Sequence, residues 1–472
     1  MPGFHVEHFG CRAARADGEA LSGRLRAAGH NAQQPAQADV IVVNTCSVTA
    51  EADRSARAYI RRAHRLNPEA RILVTGCYAQ RAPEELAGLD GVAAVVGNSH
   101  KALAPEIAMG MAGSGIENRL SPQPDLVSVQ SLLSTAANAP VWVDDRFAHS
   151  FIEEAPQVQS DHTRPNLKIQ EGCGNRCTFC VIPQTRGPSR SLASAAILRQ
   201  VQEFVAGGGN ELVLSGINLG RWGRDLAAEN GAARPTLAGL VREILDVTLL
   251  PRLRLSSIEP MDWDADLIAL MREFGGARLA RHAHLPLQSG SDAVLRRMHR
   301  RYRPWHYAEK VDALLDAVGP DLTLGADVMA GYPGETEAEF EETLNFIRAL
   351  PFGYLHLFPF SPRPGTRGWQ LHAENPVEPK AVDERMAALR VLAGEKIRTH
   401  RERFIGRQLE AITLHPAAEG FTTALTENFL PVELHGRLPA NQLVRVRVHG
   451  INMDAALECH PADADVLSTP GR

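Results

Sequence analysis

The chain has 472 residues, which is enough for two to four domains with sizeable cores. Its formal net charge of −5 argues against a protein that coats nucleic acid indiscriminately, but it is compatible with a local basic face for RNA. We find neither a signal peptide nor an apolar run of membrane-spanning length, so we expect a cytoplasmic protein with no membrane partner. Cysteines stay reduced in that compartment, which favours metal binding or catalysis over disulfides.

Residues 1–112 alternate predicted strands and helices, a pattern typical of a small doubly wound α/β domain. The predicted strands cover residues 4–10, 40–45, 72–76 and 92–96, and the predicted helices cover 17–28, 50–66 and 83–88. Cys11, Cys46 and Cys77 each follow one of the first three strands. Because the carboxyl ends of parallel strands lie along one edge of a sheet, we expect the three thiols to meet at one crevice. The alternative for each cysteine alone is a small buried side chain.

Residues 113–162 are rich in Ser, Pro, Ala and acidic residues and are interpreted as a linker with one strand at 141–143. Strands and helices alternate again in residues 163–400, and Thr336 and Glu339 form a predicted capping box. The six predicted strands of this region cover residues 166–170, 211–214, 252–256, 282–287, 323–329 and 354–359. Six strand–helix units predict an open partial barrel, two units short of the complete eightfold barrel.

Residues 401–462 contain short alternating strands, of which 443–450 is the clearest. Val444, Val446 and Val448 share one face of that strand, and the other face is basic, with Arg445, Arg447 and His449. The pattern predicts a small β-barrel with a buried inner face. The isolated Cys459 is interpreted as a small apolar side chain.

A second cysteine trio, Cys173, Cys177 and Cys180, has the spacing Cys-x3-Cys-x2-Cys and begins where the first barrel strand ends. That end of the barrel is its catalytic face. Three thiolates hold three irons of a cubane 4Fe–4S cluster and leave the fourth iron open, which is typical of a reacting site. The alternative, a zinc knuckle, needs a fourth His or Cys ligand, and none follows Cys180 within the usual reach.

The compact trio resembles the motif of the radical S-adenosylmethionine (SAM) enzymes, and the whole chain resembles their methylthiotransferase branch. The stretches that carry this resemblance are residues 43–49, 75–80, 96–98, 168–173, 186–191, 285–291, 331–336 and 358–366. One departure is visible, because Arg12-Ala13-Ala14 replaces the Lys-Val-Asn-like stretch that usually follows the first cysteine. The surroundings of Cys11 are therefore expected to differ from those in the family.

The resemblance implies an N-terminal domain with an auxiliary 4Fe–4S cluster, a central radical SAM barrel and a C-terminal RNA-binding TRAM β-barrel. By this resemblance Cys11, Cys46 and Cys77 hold the auxiliary cluster, and Cys173, Cys177 and Cys180 hold the radical SAM cluster. It also implies SAM as a cofactor and, as partners, tRNA, a reductant protein such as a flavodoxin or ferredoxin, and a sulfur donor.

Within the family, residues 252–260 resemble the group that acts on N6-threonylcarbamoyladenosine. The expected reaction is therefore methylthiolation of C2 of that nucleoside at position 37 of tRNA, with two SAM molecules and two 4Fe–4S clusters. The alternatives are methylthiolation of isopentenyl-adenosine in tRNA or of a ribosomal-protein aspartate. A non-enzymatic alternative is an RNA-binding protein that uses metal for its structure alone.

Residues along the carboxyl-end rim of the barrel are candidates for SAM binding, each with a role in loop structure as its alternative. They are Gly216, Asn218, Ser257, Glu259, Gln288, Ser289, Asp327 and Gly331, and Arg186 and Arg190 are candidates for the SAM carboxylate or an RNA phosphate.

Three basic groups are candidates for RNA contact, each with an ordinary solvated surface as its alternative. They are a helical stripe of Arg54, Arg57, Arg61 and Arg65, a cluster of Arg296, Arg297, His299, Arg300, Arg301 and Arg303 beside Tyr302 and Trp305, and the Arg445/Arg447 face.

Overall fold

The computed structural model describes residues 2–112, 139–147, 163–227, 234–416, 420–459 and 465–466. These residues divide into two units. The first lies within Met1–Gln157, Gln170–Leu192 and Ser361–Thr366, and the second within Val158–Ile169, Ala193–Phe360 and Arg367–Arg472. The boundaries of the four segments expected from the sequence stay predictions, and most of the expected linker lies outside the described residues. No helix in the described ranges has both the length and the apolarity needed to cross a membrane.

The first unit contains a parallel sheet with the strand order β2-β1-β3-β4-β5-β6. Its strands are β1 (Gly3–His8), β2 (Asn31–Ala32), β3 (Val40–Thr45), β4 (Arg71–Gly76), β5 (Val92–Gly97) and β6 (Val141–Trp142). Every residue of β3 is buried, as expected for a parallel strand covered on both faces. The predicted α/β fold is confirmed, and the strand at 141–142 joins this sheet beside β5.

The helices of the N-terminal region are α1 (Arg12–Ala27), α2 (Ala50–Leu66), α3 (Cys77–Arg81), α4 (Pro83–Ala87) and α5 (Ala104–Ala112). The prediction for α2 is confirmed at both ends. Helix α1 begins at Arg12 rather than at residue 17, because Ala13, Ala14 and Ala16 favour the helix and are buried against the sheet. The single-turn helix α3 was missed, and it begins at Cys77 itself.

The second unit contains the predicted six-stranded partial barrel. Its parallel strands are β7 (Asn166–Glu171), β9 (Glu211–Gly216), β10 (Arg252–Leu255), β11 (His282–His284), β12 (Thr323–Ala330) and β13 (Phe352–Pro359). The last two residues of β7 belong to the first unit, where they pair with β8 (Arg190–Ser191). Hydrogen bonds from Ala280 to Leu253 (2.9 Å) and from Ile258 to His284 (3.0 Å) join β10 to β11.

Helices follow the barrel strands as predicted. They are α6 (Ile182–Arg186), α7 (Ser194–Ala206), α8 (Leu237–Val247), α9 (Ala265–Phe274), α10 (Asp292–Arg297), α11 (Pro304–Val318), α12 (Glu337–Ala349), α13 (Arg367–Glu374) and α14 (Pro379–Glu402). The capping box of Thr336 and Glu339 is confirmed at the start of α12. Strand β11 is shorter than predicted because Pro286 has no N–H to donate and Gln288 has a positive φ of 64°.

The C-terminal strands form a closed five-stranded barrel, which confirms the predicted TRAM-like fold. They are β14 (Gln408–Pro416), β15 (Phe421–Thr426), β16 (Pro431–His435), β17 (Leu443–Ile451) and β18 (Leu457–Cys459), with β19 (Asp465–Val466) beside β17. Pairing between β14 and β17 closes the barrel. The three valines of β17 and Cys459 are buried in its core, as predicted.

A buried carboxylate, Glu211 on β9, is surrounded by three arginines. Its oxygens lie 2.6 Å from Arg164, 2.8 Å from Arg254 and 3.4 Å from Arg252. Burial alone would raise the pKa of Glu211, but the three guanidinium groups outweigh burial and hold that pKa below its usual value. Arg254 also donates to the carbonyl of Thr426 (3.1 Å), so the cluster joins the partial barrel to the C-terminal barrel.

Replacing Glu211 with Gln removes the negative charge and keeps the size of the side chain. Because this leaves buried guanidinium charge uncompensated, we expect the free energy of unfolding to fall by about 3–5 kcal/mol. A depressed folded-state pKa stabilises the fold above the unfolded pKa of about 4.3, and that stabilisation is lost as the pH falls. Thermal melts between neutral and acidic pH should therefore show a steeper acid loss of Tm for the wild type than for Glu211→Gln.

Glu273→Gln provides the matched control, since Glu273 pairs with Arg242 at an exposed position. We expect this variant to melt close to the wild type at every pH. Similar melting temperatures for Glu211→Gln and Glu273→Gln would contradict a stabilising role for the buried cluster.

Candidate metal centre

The three dispersed cysteines lie at the carboxyl ends of three neighbouring strands. Cys11 caps the start of α1 after β1, Cys46 follows β3, and Cys77 follows β4 as the first residue of α3. Cys46 and Cys77 are buried, Cys11 is exposed, and all three thiols are free. Burial, and then the charges of Cys77 and Cys11, raise the pKa of Cys46 to about 12. The three thiols are therefore close enough to interact electrostatically, and a bound cation would reduce the repulsion among three thiolates.

A glycine before Cys11 brings two of the strand ends close together. Gly10 has a φ of +100°, and a Cβ built on it would lie 2.4 Å from Cys46 Cβ and 2.5 Å from Cys46 Sγ. Any other residue at this position would thus meet both backbone strain and the Cys46 thiol. The positions of Cys11 and Cys46 are therefore coupled through Gly10.

Arg186, at the end of α6, is fully buried beside Cys77. Its Nε donates to Cys77 Sγ at 3.2 Å, and its Nη1 lies 3.0 Å from Asp17 and 2.7 Å from Glu171. Burial alone would lower the pKa of Arg186, but Cys77, Glu171 and Asp17 raise it well above its usual value. The prediction that Arg186 contacts the SAM carboxylate or RNA phosphate is therefore wrong, because its guanidinium is used inside the protein.

Lys101 completes this buried ion cluster. Its Nζ lies 2.8 Å from Asp17 and 3.1 Å from Glu171, so two cations face two carboxylates. Neither Asp17 nor Lys101 was singled out from the sequence. No local pattern marks them, because their partners lie 84 and 70 residues away along the chain.

Asn98 provides a second donor to Cys77. Its Nδ2 lies 3.5 Å from Cys77 Sγ and also donates to the carbonyl of Thr185 on α6 at 2.8 Å. Two N–H groups therefore donate to the Cys77 sulfur, and hydrogen bonds of this kind tune the reduction potential of an iron–sulfur cluster. Helix α3, which begins at Cys77, packs against α6.

The compact trio lies in the loop between β7 and α6, also within the first unit. The backbone N–H of Asn175 donates to Cys173 Sγ at 3.4 Å, and the N–H of Cys180 donates to the Cys177 carbonyl at 3.2 Å. All three cysteines are half-buried. Helix α6 begins two residues after Cys180 and ends at Arg186, so one short segment connects this trio to Cys77.

The predicted SAM-binding residues lie at or near the carboxyl ends of four barrel strands. Gly216 ends β9 and Asn218 follows it, Ser257 and Glu259 follow β10, Gln288 follows β11, and Asp327 lies within β12. The structure brings Gln288 and Asp327 together, because the N–H of Gln288 donates to the Asp327 carbonyl at 2.7 Å. Their role in binding SAM stays a prediction.

Three residues on this rim already have partners in the protein. Glu259 pairs with Arg300. Ser289 lies 3.0 Å from the Thr343 hydroxyl, and the N–H of Gly331 donates to Glu335 at 2.7 Å. For Ser289 and Gly331 these contacts fit the alternative of a role in loop structure.

The basic candidates for RNA contact are only partly available. Arg57 pairs with Glu85 at 2.9 Å, whereas Arg61 and Arg65 are exposed. In the cluster near α10, Arg296, Arg297, Arg300 and Arg303 all form ion pairs with carboxylates of the protein. Tyr302 is fully buried, so its ring is not available for stacking on RNA bases. Trp305 and the Arg445/Arg447 face are exposed.

A further group of polar side chains, missed as a set from the sequence, lies in the second unit. His284 on β11, Asp327 on β12 and His356 on β13 hold their ligand atoms within 4.8 Å of one another. The spacing along the chain gives no sign of this group, because the three residues come from separate strands. The regular alternation of strands was the available signal, since it aligns neighbouring strands in one barrel wall.

Comparisons with known proteins agree with this architecture. Residues 3–97 match the family described as "Uncharacterized protein family UPF0004", and residues 167–347 match the "Radical SAM superfamily". The fold is similar to the solved structure of the radical SAM methyltransferase TsrM from Kitasatospora setae, with a TM-score of 0.53 and 15% identity. The similarity covers 76% of this chain and 75% of that one, and it supports the fold alone.

Curated relatives match almost the whole chain. The threonylcarbamoyladenosine tRNA methylthiotransferase MtaB of Bacillus subtilis (strain 168) is 35% identical over 92% of this chain and 90% of its own length. The protein of the same name from Aquifex aeolicus (strain VF5) is 33% identical over 94% of this chain and 99% of its own length. A tRNA-2-methylthio-N(6)-dimethylallyladenosine synthase from Acidothermus cellulolyticus is 32% identical over 94% of this chain and 82% of its own length. The chain therefore belongs to the radical SAM methylthiotransferase family of enzymes.

Proposed function

We propose that the enzyme transfers a methylthio group to C2 of N6-threonylcarbamoyladenosine at position 37 of tRNA, using two SAM molecules and two 4Fe–4S clusters. The observation that carries the proposal is the joining of both cysteine trios in one unit. Arg186 follows Cys180 on α6 and donates to Cys77 of the other trio at 3.2 Å. In a member of this family, such a connection fits two clusters that act on one substrate.

The choice of nucleoside is supported by the relatives. The two MtaB proteins named above are 35% and 33% identical to this chain, and their names specify threonylcarbamoyladenosine in tRNA. The dimethylallyladenosine relative is 32% identical, and the match spans a smaller share of that protein, 82%. Residues 252–260 point to the same nucleoside through their resemblance to the threonylcarbamoyladenosine group.

The residues present fit two clusters. Each trio offers three thiols, and cubane clusters are bound by cysteine thiolates. Three ligands per cluster would leave one iron of each open to SAM or sulfur.

SAM and the cluster of the compact trio, when bound, supply the radical chemistry that an unactivated aromatic C–H bond requires. The residues of the chain position the clusters and the substrate. Cys46 and Cys77 are buried from solvent, and Arg186 and Asn98 orient the Cys77 sulfur. The exposed Arg61, Arg65 and Arg445/Arg447 face offer charge for RNA phosphates.

Nucleoside mass spectrometry of tRNA tests this proposal. We expect a deletion strain to lose 2-methylthio-N6-threonylcarbamoyladenosine, and wild-type protein to restore it. Cys46→Ala and Cys177→Ala, one change in each trio, should fail to restore the modification because each would remove one cluster ligand. Cys459→Ala is the matched control and should restore it, since Cys459 lies in the core of the C-terminal barrel.

The alternatives give different results in the same experiment. Loss of the methylthio group from isopentenyl-adenosine alone, or from a ribosomal-protein aspartate, would overturn the choice of substrate. Restoration by both trio variants would contradict the role of the cysteines. Zinc in place of roughly eight irons per anaerobically reconstituted chain would favour a non-enzymatic RNA-binding protein.

Gly10→Ala should disturb the auxiliary cluster without replacing any of its ligands. The new methyl group would overlap Cys46 Sγ, which lies 2.5 Å from the position of the added Cβ. We expect reconstituted Gly10→Ala protein to hold about four irons per chain instead of about eight, as measured by iron analysis. The visible absorbance of the cluster held by the compact trio should persist, and so should the reductive cleavage of SAM.

Gly29→Ala is the control for backbone strain. Gly29 has a similarly positive φ of +86°, but a Cβ there meets nothing within 4 Å. This variant should have the same backbone strain of about 1–2 kcal/mol and keep its full iron content. Equal iron in the two alanine variants would contradict the steric argument.

Arg186→Gln should lower the reduction potential of the auxiliary cluster. The change removes a buried positive charge that lies 3.2 Å from Cys77 Sγ, and this charge favours the reduced, more negative cluster. A redox titration followed by electron paramagnetic resonance should show the shift to more negative potential for one cluster. Arg15→Gln, which removes an exposed charge from α1, should leave both potentials unchanged. A wild-type potential in folded Arg186→Gln would contradict the proposed tuning.

A further inference from the structure

We propose that His284, Asp327 and His356 bind one divalent transition-metal ion at a site separate from both cysteine trios. The ligand atoms of the three side chains all lie within 4.8 Å of one another. The residues come from β11, β12 and β13, three neighbouring strands of the second unit. Two imidazoles and one carboxylate are a donor set that suits zinc and ferrous iron.

The distances favour a metal over a simple hydrogen-bonded group. Asp327 Oδ1 lies 3.4 Å from His284 Nε2 and 3.3 Å from His356 Nδ1, and the second contact is a long hydrogen bond. Two ligands about 2.0–2.1 Å from a tetrahedral zinc ion lie about 3.3–3.4 Å apart. A charge-assisted hydrogen bond between imidazole and carboxylate would be about 2.7–2.9 Å long. The observed spacing therefore matches an edge of a coordination tetrahedron.

His284 provides the independent sign that a ligand belongs here. Its side chain is only 5% exposed, its Nδ1 has no hydrogen-bond partner within the described structure, and its Nε2 has only the long 3.4 Å contact with Asp327. Pairing the nitrogens of a buried imidazole so poorly is costly, and native structures rarely do so without a reason. A metal ion bound at Nε2 would satisfy the nitrogen that faces Asp327.

Aromatic neighbours fix the orientation of the His284 ring. Tyr354 stacks on it with ring centroids 5.9 Å apart and planes 21° apart, and the His356 ring lies 5.3 Å away. Tyr354 is itself held by a 2.8 Å hydrogen bond between its hydroxyl and His282 Nε2. The ligand ring is thus held in place before any ion binds, which lowers the entropic cost of binding.

The site is open on one side. The His356 side chain is 52% exposed and that of Asp327 is 25% exposed. Three protein ligands with an open position are typical of a reacting metal site, where a water or a carboxylate oxygen occupies the fourth position. The proposal gives Asp327 the role of a metal ligand in place of the direct SAM contact predicted from the sequence. It stands independently of the proposed substrate.

Zinc binding to the full-length, anaerobically reconstituted enzyme tests the proposal. The protein is incubated with Zn²⁺, freed of unbound metal and analysed for zinc and iron, and its zinc is examined by X-ray absorption. We expect about one zinc per chain, bound by nitrogen and oxygen at about 2.0–2.1 Å. Sulfur at about 2.3 Å should be absent, because sulfur would mark zinc at a cysteine trio.

Two ligand variants and a control complete the experiment. His356→Gln and Asp327→Asn should each lower zinc occupancy at least tenfold while the iron content stays at the wild-type level. His449→Gln, which changes an exposed histidine of the C-terminal barrel, should bind zinc like the wild type. Zinc bound only through sulfur, or equal nitrogen-bound zinc in wild type and folded His356→Gln, would overturn the proposal.

Discussion

The buried guanidinium of Arg186 is the constraint on which the surroundings of Cys77 depend. It is fully buried, donates to Cys77 Sγ and faces the carboxylates of Asp17 and Glu171. A charge in such a place is stable only while its partners are present, and breaking a buried pair typically costs about 3–5 kcal/mol. The segment after the compact trio and the sheet edge with the dispersed trio therefore stabilise each other.

This dependence explains why the fold was easier to predict than the site. Parallel strands and amphipathic helices leave periodic patterns, so α2, the six barrel strands and the thiols at the strand ends could be predicted locally. Arg186 and Cys77 are 109 residues apart, and no periodicity connects them. The sequence suggested an anion-binding role because arginine commonly binds carboxylates and phosphates. The structure shows two such carboxylates, but both belong to the protein.

Glycines explain another part of the site that periodicity does not. Gly10 and Gly76 precede Cys11 and Cys77, and both have a φ near +100°. At each position an added Cβ would approach the strand end that leads to Cys46, at its thiol or at the backbone of Thr45. The two glycines thus let the outer strand ends close around the middle one. Their role depends on close approach in three dimensions, and the sequence shows only that a glycine is present.

The two polar groups of the partial barrel illustrate opposite solutions to burying charge. Glu211 is surrounded by three guanidinium groups, and this arrangement accounts for its position without any ligand. His284 is also buried, yet its Nδ1 has no partner in the described structure and its Nε2 has only a 3.4 Å contact with a carboxylate. Because poorly paired buried polar groups are costly, the first group stabilises the fold by itself, whereas the second would gain its stabilisation from a bound cation. The same barrel wall therefore carries one site that is complete in the protein and one that a metal ion would complete.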